Sequence, residues 1–366
     1  MADLIGLGEI PTGACRLIVG GFPFAGAAGS SETAKVLDFG QEAARFIEAD
    51  CRAAQCWSHR GYRPGDRYRV HYLHSREDGA LAVTTYREKE GVLETVPLRA
   101  IGQPSLGSAA PYLDRVISVI AGYDCGPDLE FLRHLPKTVS FRSVSASLVQ
   151  IDGLRHLQRL RELNLGHPTY RLDVLGELSE LESLYLDGWQ PGAQSLFGLR
   201  NLVRVGMQRY AHEDLSPTAG WSQLRYLWLN AGRLRFLGGI PSGVRHLKLT
   251  NQRKLLEGIS GCIGLRELTL DCCAGPHSLE GVQHCRRLGG ISLRKSGLLL
   301  DLSPLGGLED LEELSLIEGV VTEETSLEGI YGHPRLRDLC IPREAKLDVD
   351  RLLADSPNCQ IRLATN

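Results

Sequence analysis

A short apolar pattern, leucine-x-x-leucine-x-leucine, returns many times in the second part of this chain, and one copy runs Leu265-Arg-Glu-Leu268-Thr-Leu270. The copies follow one another at intervals of about 22 residues. A unit of this size cannot bury its apolar side alone, so consecutive copies must stack and share one core. The other clear copies end at Leu165, Leu186, Met207, Leu229, Leu249, Leu293, Leu316 and Ile341.

Each copy is predicted to form a short strand, because its last two leucines are one residue apart and therefore point to the same side. Stacked copies then form one curved parallel sheet. Weaker copies at Ile117–Val119, Val139–Phe141 and Ile361–Leu363 extend it to about twelve strands. An apolar residue also recurs three places before each copy, and we expect this row to be buried: Leu157, Leu178, Leu199, Trp221, Cys262, Cys285 and Leu308.

The pattern at this period resembles the leucine-rich repeat family, in particular its SDS22-like and bacterial classes. The resemblance covers residues of about 111–366. It implies a solenoid that recognises a protein or a peptide on its concave sheet, and it carries over no catalytic residue.

The chain departs from the family at one position. Family members often have asparagine three places after the last leucine, where a ladder of side chains satisfies buried backbone groups. Here that ladder is replaced by unlike residues, so we expect the turns after the strands to be irregular and held differently in each repeat. The residues at this position are Pro168, Trp189, Tyr210, Gly232, Gln252, Cys273, Ser296 and Gly319.

Residues 1–110 lack the repeat. A capping pattern at Asp38 predicts a helix, and three alternating runs at 67–73, 80–86 and 92–98 predict strands joined by tight turns. We therefore predict an α/β protein with two domains. A small α+β domain with an antiparallel β-meander at 1–110 precedes the leucine-rich repeat solenoid at 111–366.

Alternation along the strands predicts which side chains face a partner. Because Leu227 and Leu229 point inward, Trp228 must point outward. Tyr185 and Trp228 would then flank Gly206, with their rings about 10 Å apart across two strand spacings. Neighbouring positions add Asp187, Arg204, Gln208, Tyr226, Asn230, His246 and Lys248, and a rim is predicted at Trp189, Arg209 and Tyr210.

Aromatic residues beside arginine and histidine are typical of an interface hot spot. The alternative is that the rings pack on one another or on residues 1–110. A second row has arginine at most of its positions, and we expect it to form a solvated edge: Arg161, Arg225, Arg245, Arg266 and Arg337.

Composition narrows the function further. The net charge of −3 gives no general attraction to nucleic acid, and no apolar run is long enough to span a membrane. Ten cysteines in 366 residues are too sparse for a disulfide scaffold, which favours a reducing, cytoplasmic setting. Cys56, His59 and His71 have zinc-competent atoms. His71 and His74 would nevertheless alternate across a strand, so we expect no metal and no cofactor.

These features favour a non-catalytic protein that recognises a protein or a peptide on the concave repeat face. Two alternatives stay open. One is an enzyme, or a metal-dependent protein, whose chemistry lies in the N-terminal domain while the repeats select the substrate. The other is a protective binder of the antitoxin or immunity type. The sequence does not specify the oligomeric state.

Overall fold

The computed structural model describes strand segments within residues 15–121 and, beyond them, residues 128–143, 148–166, 170–252, 257–273 and 279–364. The chain divides into two compact units, Met1–Leu196 and Phe197–Asn366. Strands β1 to β8 lie at Cys15–Val19, Arg67–Tyr72, Ala80–Lys89, Val92–Thr95, Val116–Ala121, Ser140–Ser143, Glu162–Leu165 and Ser183–Leu186. Strands β9 to β16 lie at Arg204–Gln208, Tyr226–Asn230, His246–Thr250, Glu267–Asp271, Gly290–Arg294, Glu313–Ile317, Asp338–Pro342 and Gln360–Ala364.

The segments that connect the strands are mostly short 3-10 helices. One α-helix is described, α1 at Val349–Asp355, and the Asp348 carboxylate caps it by accepting from the Arg351 backbone N–H at 2.9 Å. The 3-10 helices are Glu130–His134, Asp152–His156, Asp173–Glu177, Ala193–Gly198, Ser216–Gly220, Ile259–Gly261, Val282–His284, Ser303–Gly307 and Glu328–Ile330.

The second unit contains eight described parallel strands in sequence order, β9 to β16, and the first unit contains four more of the same kind, β5 to β8. This confirms the prediction of about twelve short parallel strands. Burial alternates as expected: Leu268 and Leu270 are at most 2 % exposed, while Thr269 between them is half-buried. Side chains between the leucines form what we call the outward face.

In the first unit the sheet continues from β5 to β1 and from β1 to β3, with parallel pairing in both cases. Strand β3 also pairs antiparallel with β2 and with β4, which agrees with the predicted meander. The helix predicted at Asp38 lies outside the described residues, as do Cys56 and His59, and the separate α+β domain remains a prediction.

The first two copies of the repeat are displaced from the prediction. Their inward pairs are Val119 with Ala121 and Phe141 with Ser143, all at most 1 % exposed. The middle outward residue of β6 is therefore Arg142, which pairs with Asn164. The predicted pairs, which began two residues earlier in each strand, were wrong.

The predicted inner row before each strand is confirmed. All seven of its residues are at most 5 % exposed. Most of them end a 3-10 helix and donate their N–H to the residue three places earlier, as Cys285 does to Val282 at 2.8 Å. Cys262 and Cys285 therefore serve as small apolar core residues.

The turns after the strands follow one backbone path in six repeats, so the prediction of irregular turns was wrong for these repeats. In six repeats, the residue before the position where the family often has asparagine has a left-handed φ between 46° and 56°. These residues are Arg209, Ala231, Asn251, Cys272, Lys295 and Glu318. In three successive repeats the next side chain hydrogen-bonds two backbone carbonyls, one at its own strand end and one in the preceding repeat. The bonds run from Gln252 Nε2 to Leu229 (3.3 Å) and Thr250 (3.2 Å), from Cys273 Sγ to Leu249 (3.4 Å) and Asp271 (3.5 Å), and from Ser296 Oγ to Leu270 (2.9 Å) and Arg294 (2.8 Å).

Candidate recognition surface

The outward face of β9, β10 and β11 carries most of the residues that the sequence predicts for partner binding. The strands pair in the expected register, so the predicted rows are confirmed as rows. They are Arg204–Tyr226–His246, Gly206–Trp228–Lys248 and Gln208–Asn230–Thr250.

Trp228 lies in the middle of this face, and only 5 % of its surface is exposed. Its indole Nε1 donates to the Thr250 hydroxyl at 3.0 Å, which fixes the ring against β11. On one side it neighbours Gly206, which has no side chain. The indole is therefore a fixed floor of this face rather than a protruding anchor.

Tyr226 and His246 form a stacked pair with ring centroids 6.1 Å apart and an interplanar angle of 27°. His246 Nδ1 lies 2.8 Å from a Glu267 carboxylate oxygen, which orients the imidazole. Burial, with the negative charge of Glu267, raises the pKa of Tyr226 to about 12, so its hydroxyl stays protonated. This row presents a phenol and an imidazole in fixed orientations.

Two cations border the aromatic residues. Arg204 is exposed and pairs in register with Tyr226, whereas Lys248 is half-buried and pairs with Trp228. Within the described part of the chain neither cation has a hydrogen bond or an ion pair. Both charges are therefore available to an incoming anionic group.

The predicted rim is only partly at the surface. Tyr210 is 1 % exposed and donates its hydroxyl to the Asp214 carbonyl at 3.1 Å, so it belongs to the core and its placement on a rim was wrong. Arg209 is exposed and begins the turn after β9. Asn230 accepts a hydrogen bond from the Asn251 side chain at 2.9 Å, which ties the ends of β10 and β11 together.

The remaining predicted residues belong to the first unit. Tyr185 pairs in register with Asn164, and it is half-buried, as are Asp187 and Trp189. The slot between Tyr185 and Trp228 would join residues of two units, and it stays a prediction.

An open groove of about 470 Å³, which was not predicted from the sequence, lies at the N-terminal ends of β12, β13 and β14. The signal for it was the glycine pair Gly289–Gly290, because two consecutive missing side chains leave a gap in two rows. The groove is lined by Arg266, Glu267, Arg287, Gly289, Gly290, Asp310, Glu312, Glu313 and Arg335.

The inward cysteines do not have the character of nucleophiles. Burial raises the pKa of the Cys262 thiol to about 12 and that of Cys285 to about 11, and it also raises the pKa of Cys273. Thiols with such values remain protonated near neutral pH. Within the described residues no group of three His, Cys, Asp or Glu side chains is placed to hold a metal ion.

None of the described helices combines the length and the apolar character that a membrane passage requires. Comparison of the sequence with protein-family models and with curated proteins gave no match.

Solved structures do resemble the chain. The internalin InlF from Listeria monocytogenes aligns with a TM-score of 0.51 at 17 % identity, over 70 % of this chain and 82 % of that one. A plant peptide hormone receptor, RGFR1 in complex with RGF2, aligns with a TM-score of 0.44 at 17 % identity, over 69 % of this chain and 43 % of the receptor.

The leucine-rich repeat ectodomain of the Arabidopsis thaliana receptor kinase GASSHO1/SCHENGEN3, in complex with CASPARIAN STRIP INTEGRITY FACTOR 2, aligns with a TM-score of 0.38 at 16 % identity. That alignment covers 70 % of this chain and 37 % of the ectodomain. The parallel strands, the buried leucine pattern and the likeness to InlF agree on one architecture. From β5 onwards this chain has the leucine-rich repeat fold.

Proposed function

We propose that this chain is a non-catalytic recognition protein that binds a protein or peptide segment on the outward face of β9 to β11. The observation that carries the proposal is the combination of the stacked, half-buried pair Tyr226 and His246 with two cations, Arg204 and Lys248, that have no hydrogen bond or ion pair among the described residues. The repeat pattern of the sequence predicts that this face is the concave one.

An ordinary solvated sheet face does not require this arrangement. Tyr226 and His246 are half-buried and oriented by their stack, so they lose little conformational freedom when a ligand covers them and less of the contact energy is lost on binding. Aromatic residues together with arginine are enriched among the residues that dominate interface energies.

The form of the surface favours a polymer rather than a small molecule. Trp228 and its neighbours on β9 to β11 occupy a sheet face, whereas small-molecule sites usually bury most of the ligand in a cavity. A peptide or a protein edge can contact several outward positions at once. The proposal assigns no reaction, since burial keeps the thiols of Cys262 and Cys285 protonated.

The test uses a phage-displayed library of random dodecapeptides, selected on the immobilised full chain. Peptides that bind are synthesised, and their affinities are measured for the wild type and for the double variant Arg204→Glu/Lys248→Glu. We expect the affinity of the double variant to fall by at least about tenfold, because glutamate at these positions would repel the anionic groups that the two cations attract. The matched control is Arg286→Glu/Arg343→Glu, which reverses two exposed charges elsewhere. Equal losses in the two double variants would refute the proposal.

We also propose that the protein works in a reducing compartment. The six cysteines whose side chains the structure describes are all free, and Cys262 and Cys285 are buried in the core as thiols. Thiol titration of the denatured protein, isolated with a rapid alkylating quench, should show all ten cysteines of the chain reduced. Recovery of a native disulfide would contradict this placement.

A further inference from the structure

The arginine row before the strands of the second unit was expected to be a solvated edge, but two of its members are held in fixed positions. Arg225 Nη1 donates to the carbonyls of Leu224 at 3.1 Å and of Gly243 at 3.5 Å. Arg245 Nη1 donates to Gly264 at 3.0 Å. A Cβ at Gly243 or Gly264 would lie only 2.2 or 2.0 Å from that nitrogen, so glycine is what makes room for the guanidinium.

The same arrangement is impossible one repeat later. In register, Arg287 stands where Gly264 stands, so the next arginine of the row, Arg266, has no vacant place to fold into. Both side chains are exposed, and among the described residues neither has a hydrogen bond or an ion pair. Two guanidinium groups therefore reach the same groove without internal partners.

The groove exists because β13 begins with two glycines. Gly290 lies in register between Glu267 and Glu313, and Gly289 lies between Arg266 and Glu312. The gap measures about 470 Å³ and opens on the N-terminal edge of the sheet. It is large enough for a side chain and the adjoining backbone of a partner.

Two of the four carboxylates around the groove have arginine partners. Arg335 forms an ion pair with Asp310, and Arg337 lies 3.6 Å from Glu312. Glu267 lies 2.8 Å from His246, a contact that cancels the carboxylate charge only when the imidazole is protonated. The groove therefore contains two anions, Glu267 and Glu313, beside two cations, Arg266 and Arg287, that have no hydrogen bond or ion pair among the described residues.

We propose that this groove binds a carboxylate side chain, an aspartate or glutamate of the partner segment, with Arg266 and Arg287 as its donors. The proposal rests on the proposed function and names the partner as an acidic peptide segment. Guanidinium forks match the two oxygens of a carboxylate and give charge-assisted hydrogen bonds. Glu313 disfavours a more highly charged phosphate, because like-charge repulsion grows with the charge of the ligand.

The groove also lies close enough to Tyr226 for one extended peptide to contact both. Tyr226 and Gly290 are three strand spacings apart in the same row, which is about 14 Å. An extended chain covers about 3.4 Å per residue, so the acidic residue should follow or precede the Tyr226 contact by about four residues.

The experiment uses the dodecapeptides selected on the full chain, together with copies in which each Asp or Glu is replaced by Asn or Gln. Affinities are measured for the wild type, for Arg266→Ala/Arg287→Ala and for Gly290→Leu. The last variant fills the groove without removing a charge, and a Cβ at Gly290 meets nothing closer than 3.4 Å. Arg245→Ala is the control, since it removes a guanidinium of the same row that already has internal partners.

We expect the selected peptides to share an acidic position. Their affinity should fall about tenfold or more in either groove variant, and also when the acidic residue of the peptide is replaced by its amide. Arg245→Ala should change the affinity by less than about twofold. Peptides that are weakened by Arg204→Glu/Lys248→Glu but not by the groove variants would overturn this inference and leave the proposed function intact. Failure to select any peptide would count against both. Displacement by inorganic phosphate but not by equal acetate would identify a phosphate site and overturn the carboxylate assignment.

Discussion

Replacing Ser296 by alanine tests whether unlike side chains perform the task of the missing asparagine ladder. Ser296 is 4 % exposed, and its hydroxyl lies 2.9 Å from the Leu270 carbonyl and 2.8 Å from the Arg294 carbonyl. The same oxygen accepts from the Cys273 backbone N–H at 3.4 Å. Alanine removes the hydroxyl and leaves these backbone groups without that partner in a buried place.

The magnitude follows from those contacts. A hydroxyl donates only one hydrogen, so the two carbonyls share it, and the third bond is long. Loss of one good hydrogen bond together with an unsatisfied buried group should lower the free energy of unfolding by about 2 kcal/mol. A polar side chain on the outward face should cost much less, so Ser315→Ala, at a half-buried position of that face, should stay within about 0.5 kcal/mol.

The assay is urea unfolding with an unchanged slope, combined with hydrogen exchange of the Cys273 amide. Exchange at Cys273 should accelerate in Ser296→Ala and stay unchanged in Ser315→Ala. If the two variants are equally stable and Cys273 exchanges at the wild-type rate in both, the side-chain ladder does not stabilise these turns.

Two further predictions concern the core. Gly329→Ala should destabilise the protein by more than about 2 kcal/mol, because its Cβ would lie 1.6 Å from the Leu302 carbonyl oxygen. The control is Gly306→Ala, whose Cβ would have nothing within 4 Å and which should be nearly neutral. Thermal unfolding of the two variants measures the difference. The pKa of Cys262 is raised to about 12 from an ordinary 9.0. The contribution of this thiol to the free energy of unfolding is therefore fully present below pH 9 and is lost as the pH rises towards 12, since the thiol of the unfolded chain ionises first. Denaturant titrations across that window should show a smaller fall for Cys262→Ala, and an equal fall in both proteins would contradict the assignment.

The sequence predicted the sheet well because a residue such as Leu268 is constrained twice, by the strand period and by the repeat period. It placed the first two copies two residues early for a related reason. A shift of two residues keeps every side chain on its face, so alternation alone cannot distinguish Val139 with Phe141 from Phe141 with Ser143. The apolar pair looked better, but the structure buries Ser143 completely.

The turns were mispredicted because the absence of asparagine was taken to mean the absence of the hydrogen bonds that asparagine makes. In three of these turns a side-chain donor reaches two carbonyls, and an amide, a thiol and a hydroxyl can each supply it. Gln252, Cys273 and Ser296 differ in size, yet each spans the same pair of backbone positions. Only the backbone path, with its left-handed residue just before, shows that the three positions are equivalent.

The side of the sheet on which Trp228 lies was predicted from the sequence, but the burial of its ring was not. Strand alternation states that Trp228 leaves the sheet on the outward side, but it says nothing about which neighbours cover the ring. In the structure 5 % of Trp228 is exposed and its nitrogen is bound to Thr250. A side-chain contact between adjacent repeats decides how much of the indole a partner can reach.

The two glycines on the outward rows of the second unit link the proposals. Glycine inside a strand costs conformational entropy and offers no side chain to pack, so a strand position that keeps it usually serves a bulge or a close approach by another chain. Neither Gly206 nor Gly290 has a positive φ, so backbone conformation does not explain them. Each lies beside uncompensated charge, Arg204 and Lys248 in one case and the two groove arginines in the other. The proposed extended acidic segment, approaching the sheet at both gaps, would account for the glycines and the charges together.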